Sequence, residues 1–289
     1  MQTSKGYRGR LAPTPTGFLH IGHYRTFHTA WQRARVAGGR LIMRIEDLDP
    51  VRCRDHFAQA ALDDLRWAGL DWDEGPDVGG AFAPYTQSRR MDSYRAAFAQ
   101  LKASGAIFRC VCSRRDVATA ASAPHSADSE PLYPGTCHVP TLRILSSPAA
   151  WRFRVPVGET VSFVDSRLGP QSFVSGRDFG DFIVWRRDDA PAYELAVVVD
   201  DAAMQISEVV RGEDLLLSTA RQLLLYRALG LKPPLFYHCE LVRDARGNRL
   251  AKRDDALSLR QLRSGNLTPS ELGKLALTER ATQASVEIR

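Results

Sequence analysis

RLAPTPTGFLHIGH, residues 10–23, leaves a segment at residues 8–12 that reads as a short strand and passes through a loop punctuated by Pro13, Pro15 and Gly17. It then enters a stretch with helical spacing, residues 20–37, closed by Gly38 and Gly39. Proline lacks a backbone donor and glycine leaves the backbone least constrained, so the order reads as strand, loop, helix. His20, Gly22 and His23 stand at the mouth of that helix. Backbone N–H groups of a first helical turn have no partner inside the helix and lie at the positive end of its dipole. That corner therefore suits the phosphates of a nucleotide, and Gly22 lets one approach the backbone closely. A pair of surface histidines at a helix start is the bland alternative, and the Pro/Thr/Gly loop before it disfavours that reading.

Outward from this unit the first hundred residues alternate between strand and helix. RLIMRI, residues 40–45, is a nearly continuous apolar run, as expected of a strand covered on both faces, and it delivers Glu46, Asp47 and Asp49 at its C-terminal end. In α/β sheets that end faces the ligand crevice. A solvated acidic turn or a magnesium site is the alternative for the three acids. We expect Glu46 in a pocket and Asp47 as a cap of the following turn. Helical spacing recurs at residues 54–68 and 89–103. From about Ala106 the character changes to a cysteine-containing stretch, a Ser-rich loop at 118–129, and strand-like runs WRFRVPV and VSFVD without helical period. The α/β pattern resumes with FIVWR, YELAVVVDDA, ISEVVRG and an amphipathic helix at 218–229, then crosses a Pro-Pro turn to LVRDARGNRLAKRD and a short helical tail.

The expected architecture is α/β, a Rossmann-like parallel sheet split by an insertion. Residues 1–104 are expected to form the first half of a nucleotide-binding catalytic domain, 105–180 the insertion, 181–240 the second half, and 241–289 a loop and tail. A length of 289 residues fits one catalytic domain with an insertion. The balance of 39 Lys plus Arg against 33 Asp plus Glu, net +6, is permissive for a polyanionic partner without requiring one. No apolar run approaches the roughly 20 residues needed to span a bilayer, so no membrane association is expected. MQTSKGYRGR is not followed by the apolar segment of a secretory signal, and a cytoplasmic location is expected.

Five cysteines in such a chain argue against a disulfide framework. Cys110, Cys112 and Cys137 fall within 28 residues of a loop-rich stretch and suit a tetrahedral zinc that stabilises a segment too small for its own core. His138 or His125 is the ordinary fourth ligand for that chemistry. Cys53 and Cys239 lie outside the spacing and read as small buried hydrophobes.

RLAPTPTGFLHIGH, MRIEDLD, VVDDAAMQISEVVRGEDLLLSTARQLLLYRALG and RLAKRD occur here in the order seen in the glutamyl-tRNA synthetase family of class I aminoacyl-tRNA synthetases. The chain resembles that family over most of its length, and within it the short glutamyl-queuosine tRNA(Asp) synthetase branch, which lacks the helical anticodon-binding domain. Only about 35 residues follow RLAKRD, too few for such a domain.

The resemblance implies a ligase that activates L-glutamate with ATP, magnesium accompanying the triphosphate, and passes the glutamyl group to tRNA(Asp) carrying queuosine. It implies a glutamate pocket of Arg10, Ala12, Thr14, Glu46, Tyr193 and Arg211, nucleotide contacts from His20, Gly22 and His23, and a catalytic Lys252. A substrate with two carboxylates and one ammonium needs guanidinium and carboxylate partners, which Arg10, Arg211 and Glu46 supply. RLAKR stands where the family has K-M-S-K-S: Arg249, Ala251 and Arg253 replace its first Lys and both Ser, while Lys252 is retained. The resemblance also implies Tyr133 as the fourth zinc ligand. The rival readings are a truncated glutamyl-tRNA synthetase charging the 3′ end of tRNA(Glu), a noncatalytic glutamate- or tRNA-binding module, and an H-x-G-H nucleotidyltransferase. The last has no need of the paired Arg10 and Arg211.

Overall fold

The computed structural model describes residues 6–113, 115–117, 132–242 and 258–277. Strand β1 (Arg8–Leu11) runs parallel to β2 (Arg40–Met43), in register from Arg8 opposite Arg40 to Leu11 opposite Met43. Parallel neighbours need a crossover, and α1 (Ile21–Val36) supplies it. The unbroken apolar character of β2 has a direct cause. Leu41 and Met43 pack with Ala30 and Ala34 of α1 and with Leu62 and Leu65, whereas Ile42 packs with Tyr85, Val209 and Phe236 in another cluster. Each of the three strand residues is fully buried, which stabilises by about 1.5–3 kcal/mol per side chain.

Then come α2 (Asp55–Trp67), a 3₁₀ turn (Gln87–Arg89), α3 (Met91–Ala103), β3 (Ile107–Cys110), α4 (Leu142–Ser146), β4 (Ala150–Phe153), β5 (Thr160–Asp165), β6 (Gly169–Val174) and β7 (Phe182–Trp185). The remainder is α5 (Tyr193–Ala203), β8 (Glu208–Gly212), α6 (Leu216–Ala228), β9 (Leu235–Cys239), α7 (Leu259–Ser264) and α8 (Pro269–Leu277). β8 and β9 are parallel, from Glu208 opposite Leu235 to Gly212 opposite Cys239. Ser207, at the entry to β8, donates its N–H to the Arg8 carbonyl at 2.9 Å, so the two parallel pairs run side by side.

The site-bearing strands are thus parallel, and antiparallel strands surround them. β5 and β6 form a hairpin that joins β9 through the single pair Asp165–Phe236, and β3, β4 and β7 form a separate antiparallel sheet. Two elements depart from the reading of the sequence. β9, read as the connection after Pro233 and Pro234, lies inside the four-stranded sheet. α4 is a helix in a stretch expected to have none; with five residues it is too short to show a period. Phe153, Val155, Val161 and Phe179 share one core with Leu195 and Val198 of α5 and Leu224 and Leu225 of α6.

Candidate active site

The ends of β1 and β8 and the start of α1 enclose a cavity of about 180 Å³. At its mouth the two histidines cap α1 reciprocally. His20 Nδ1 accepts from the Gly22 N–H at 3.1 Å, and His23 Nδ1 accepts from the His20 N–H at 3.2 Å. A ring nitrogen that accepts carries no proton, so the geometry assigns both imidazoles the neutral form protonated at Nε2. A Cβ on Gly22 would come within 3.0 Å of the His20 ring, so glycine there lets the ring fold over the helix start as well as opening the backbone to a ligand. The first turn of α1 has no acidic residue to compete with an anion.

Behind the histidines lies a buried ionic network. Arg44, wholly enclosed, donates from Nη1 to Asp201 Oδ1 at 2.7 Å and from Nη2 to Glu46 Oε1 at 2.9 Å. Arg90 Nε donates to Asp200 Oδ1 at 2.6 Å, Tyr94 and Gln87 donate to Oδ2 of the same carboxylate, and Arg10 Nε lies 3.6 Å from Asp201 Oδ1. Burial raises the Glu46 carboxyl above its ordinary pKa, with Arg44 and Arg10 opposing that rise. Arg10 is further fixed by donation from Nη1 to the Val210 carbonyl at 2.8 Å.

Arg211 differs from the other arginines of this network. It is 4% exposed, and its neighbours are neutral: Gln222 Oε1 at 2.9 Å, Thr219 Oγ1 at 2.7 Å and His238 Nε2 at 3.2 Å. Among the described residues no carboxylate lies within salt-bridge distance of it; Glu194 is reached only through Gln222. A buried cation whose hydrogen-bond partners are all neutral, with Glu194 the acid that feels its charge across Gln222, favours an incoming anion.

Arg10, Ala12, His20, Gly22, His23, Glu46, Tyr193 and Arg211 all line this one cavity. Thr14 is exposed in the loop after β1 and does not line it, and Lys252 lies outside the described residues. Ser258, the first described residue after it, bridges His20 along the backbone, and Leu259 N–H donates to the Leu19 carbonyl at 2.8 Å. Asp47 accepts from the N–H and hydroxyl of Ser88, at 2.8 and 2.6 Å, and so caps the 3₁₀ turn across space; the cap of the following turn is Asp49, which accepts from the N–H groups of Val51 and Arg52. Arg44, Asp200, Asp201, Gln222 and His238 had not been singled out. An arginine inside a doubly covered strand and two aspartates ending an apolar helix were the available signals, since buried charges require partners.

The second candidate site joins β3 to the loop before α4. The sulfurs of Cys110, Cys112 and Cys137 lie within 4.8 Å of one another, with Cys112 and Cys137 3.6 Å apart. Tetrahedral zinc at ~2.3 Å from each sulfur separates them by about 3.8 Å, so the donor set fits the metal. The Tyr133 hydroxyl lies 3.6 Å from Cys110 Sγ and 3.9 Å from Cys112 Sγ and accepts the Cys137 N–H at 2.8 Å. His138 is instead engaged by Asp181, and His125 lies outside the described residues. Arg152 Nε lies 3.3 Å from Cys110 Sγ, a counter-charge for thiolates. Cys239 is buried in β9 and Cys53 is half-buried, both apart from this cluster.

A helix mouth without acidic residues beside a cavity lined by Arg10, Arg211 and Glu46, carried on parallel strands, fits a nucleotide-dependent enzyme that activates an amino acid. The chain belongs to the family described as tRNA synthetases class I (E and Q), catalytic domain, which matches residues 7–276. It is 50% identical to the Glutamyl-Q tRNA(Asp) synthetase of Symbiobacterium thermophilum, over 93% of this chain and 85% of that protein. It is 46% identical to the Glutamyl-Q tRNA(Asp) synthetase of Nitratidesulfovibrio vulgaris, over 93% and 85% of the two chains. Its fold matches a crystal structure of a glutamate tRNA ligase from Elizabethkingia meningosepticum in complex with its amino acid, with a TM-score of 0.75 and 30% identity over 86% of this chain and 52% of that one. Among the described residues no helix is long and apolar enough to cross a membrane.

Proposed function

We propose that this chain activates L-glutamate with ATP to glutamyl-adenylate, without tRNA, and transfers the glutamyl group to the queuosine base of tRNA(Asp). The observation that carries the first half is Arg211, a buried cation with neutral neighbours that opens on the same cavity as His20 and His23. The substrate side-chain carboxylate completes its charge, and the ammonium meets Glu46, whose own carboxylate Arg44 holds in place. Glutamine, with an amide in place of that carboxylate, leaves the guanidinium uncompensated.

No protein nucleophile is needed. An oxygen of the substrate α-carboxylate attacks the α-phosphorus of ATP, the bond to the bridging oxygen breaks, and pyrophosphate leaves with its magnesium. Catalysis is then positioning and charge neutralisation. The Nε2–H groups of His20 and His23 donate to phosphate oxygens, and Lys252 neutralises the leaving group. In the second step a hydroxyl of the queuosine cyclopentenediol attacks the activated carbonyl, and AMP leaves. We assign residues 105–180 to tRNA contact, braced by zinc on Cys110, Cys112, Cys137 and Tyr133. Zinc there stabilises the fold and takes no part in the reaction. The two Glutamyl-Q tRNA(Asp) synthetase relatives support this acceptor, each matched over 85% of its length. Glutamate-dependent exchange of pyrophosphate into ATP, run with and without tRNA, tests the activation step: exchange without tRNA is expected, and none with glutamate under either condition contradicts it.

A further inference from the structure

We infer that Asp165 and His238 are a buried positioning pair that fixes the Arg211 guanidinium for carboxylate recognition, with His238 held in the tautomer protonated at Nδ1. The inference rests on the proposed role of Arg211 in binding glutamate.

Neither side chain of the pair meets solvent. His238 Nδ1 lies 2.7 Å from Asp165 Oδ2, which also accepts the His238 N–H at 3.1 Å. Asp165 Oδ1 accepts the N–H groups of Arg167 and Leu168 at 3.0 and 2.9 Å. Three backbone donors around one carboxylate favour its ionised form, so the proton between the pair sits on Nδ1. His238 Nε2 then presents a lone pair, and Arg211 Nε–H points at it. A proton on Nε2 would set N–H against N–H, so the contact exists in one tautomer only. The electrostatics agree: burial and the neighbouring Arg211 depress the His238 pKa to about 4, against the opposing pull of Asp165. The other groups facing the ring are Thr219 from α6, Arg10 from β1, and Arg167, which donates to the His238 carbonyl.

An arginine has five N–H donors in a fixed fork. Nε–H is taken by His238, one N–H of Nη1 by Gln222 and one of Nη2 by Thr219. Among the described residues one N–H remains without a partner on each Nη, a pair that matches the two oxygens of a carboxylate. A buried carboxylate and imidazole cost desolvation energy, and their polar output is the orientation of Arg211.

The deciding experiment is a long-range proton–nitrogen spectrum of the full-length wild-type chain labelled with ¹⁵N-histidine, recorded at pH 7.5 and 5.5 without glutamate. His238 should show the neutral form protonated at Nδ1 at both values. The Nε2-protonated tautomer, or an imidazolium at pH 5.5, overturns the pair. In pyrophosphate exchange, H238Q and D165N should raise the KM for glutamate by about tenfold or more, leave the KM for ATP unmoved and narrow the preference for glutamate over glutamine. A lowered melting temperature with an unchanged KM for glutamate would mean a purely structural role and overturn the inference. Should both variants fail to fold, the wild-type spectrum still decides. A wild-type chain that shows the expected tautomer but does not activate glutamate contradicts the functional reading and leaves the pair intact.

Discussion

Arg44 Nη1 lies 2.7 Å from Asp201 Oδ1, with the two side chains 0% and 1% exposed. The other edge of the same guanidinium holds Glu46, so the charge that stabilises the end of α5 also aims the carboxylate proposed to meet the substrate ammonium. Replacing Arg44 with Met roughly keeps the volume but removes the guanidinium hydrogen-bonded to Asp201 and Glu46 and leaves the more distant Arg10 as their cation. Removing one member of a buried ion pair costs on the order of 3–5 kcal/mol. Denaturant unfolding of Arg44→Met should show a loss of that order; a change under about 1 kcal/mol would mean the network contributes little.

Arg211→Ala and Arg10→Ala should each abolish glutamate-dependent pyrophosphate exchange, because a carboxylate moved from water into a pocket without its cation is costly. Arg211→Lys should restore little, since an ammonium cannot satisfy Gln222, Thr219 and His238 together while presenting a fork to the substrate. Steady-state exchange kinetics measure this, and wild-type apparent affinity for glutamate in both alanine variants would refute the pocket assignment.

Metal analysis of the purified chain should find about one zinc, lost in Cys110→Ser together with local unfolding around β3 and α4. Tyr133→Phe should retain the three sulfurs and weaken the metal, as measured by competition with a chelator. A metal-free chain of unchanged stability would return these cysteines to packing.

The start of the fold was legible because its punctuation is strong. The Pro/Thr/Gly loop between a short strand-like segment and a helical period marks one strand, one turn and one helix, and the histidines stand where the helix begins. β9 was not legible. LFYHC shows no alternation of polar and apolar residue types, although burial along it largely alternates, with Leu235 65% exposed and Tyr237 half-buried against buried Phe236 and His238, so residue type gave way to tertiary context. His238 was missed for the same reason: its partners Asp165 and Arg211 are 73 and 27 residues away in sequence. The ionic network was hidden because Arg44 directly follows the apolar β2 and Asp200 and Asp201 sit in the apolar α5, where periodicity reports burial and says nothing of pairing.

Stability should depend on pH through His238. Its pKa of about 4 in the folded chain compares with 6.5 for the ordinary group, so between those values the unfolded chain binds a proton that the folded chain does not. Stability therefore falls as pH drops from about 6.5 to about 4, by roughly 3 kcal/mol in total. Further loss follows below that window as Asp165 protonates, its carboxyl being held low, despite burial, by Leu168, His238 and Arg167. Chemical denaturation at a series of pH values should give a shallower slope over the upper window for His238→Gln than for the wild type. Equal slopes would contradict a neutral buried imidazole.

Transfer of glutamate to queuosine is measured by incubating the chain with ATP, labelled glutamate and tRNA(Asp) drawn from cells with and without queuosine. Label should appear only on the queuosine-containing tRNA and should survive removal of the 3′-terminal nucleotide. Efficient labelling of the 3′ end of tRNA(Glu), with none on queuosine-containing tRNA(Asp), would contradict the account.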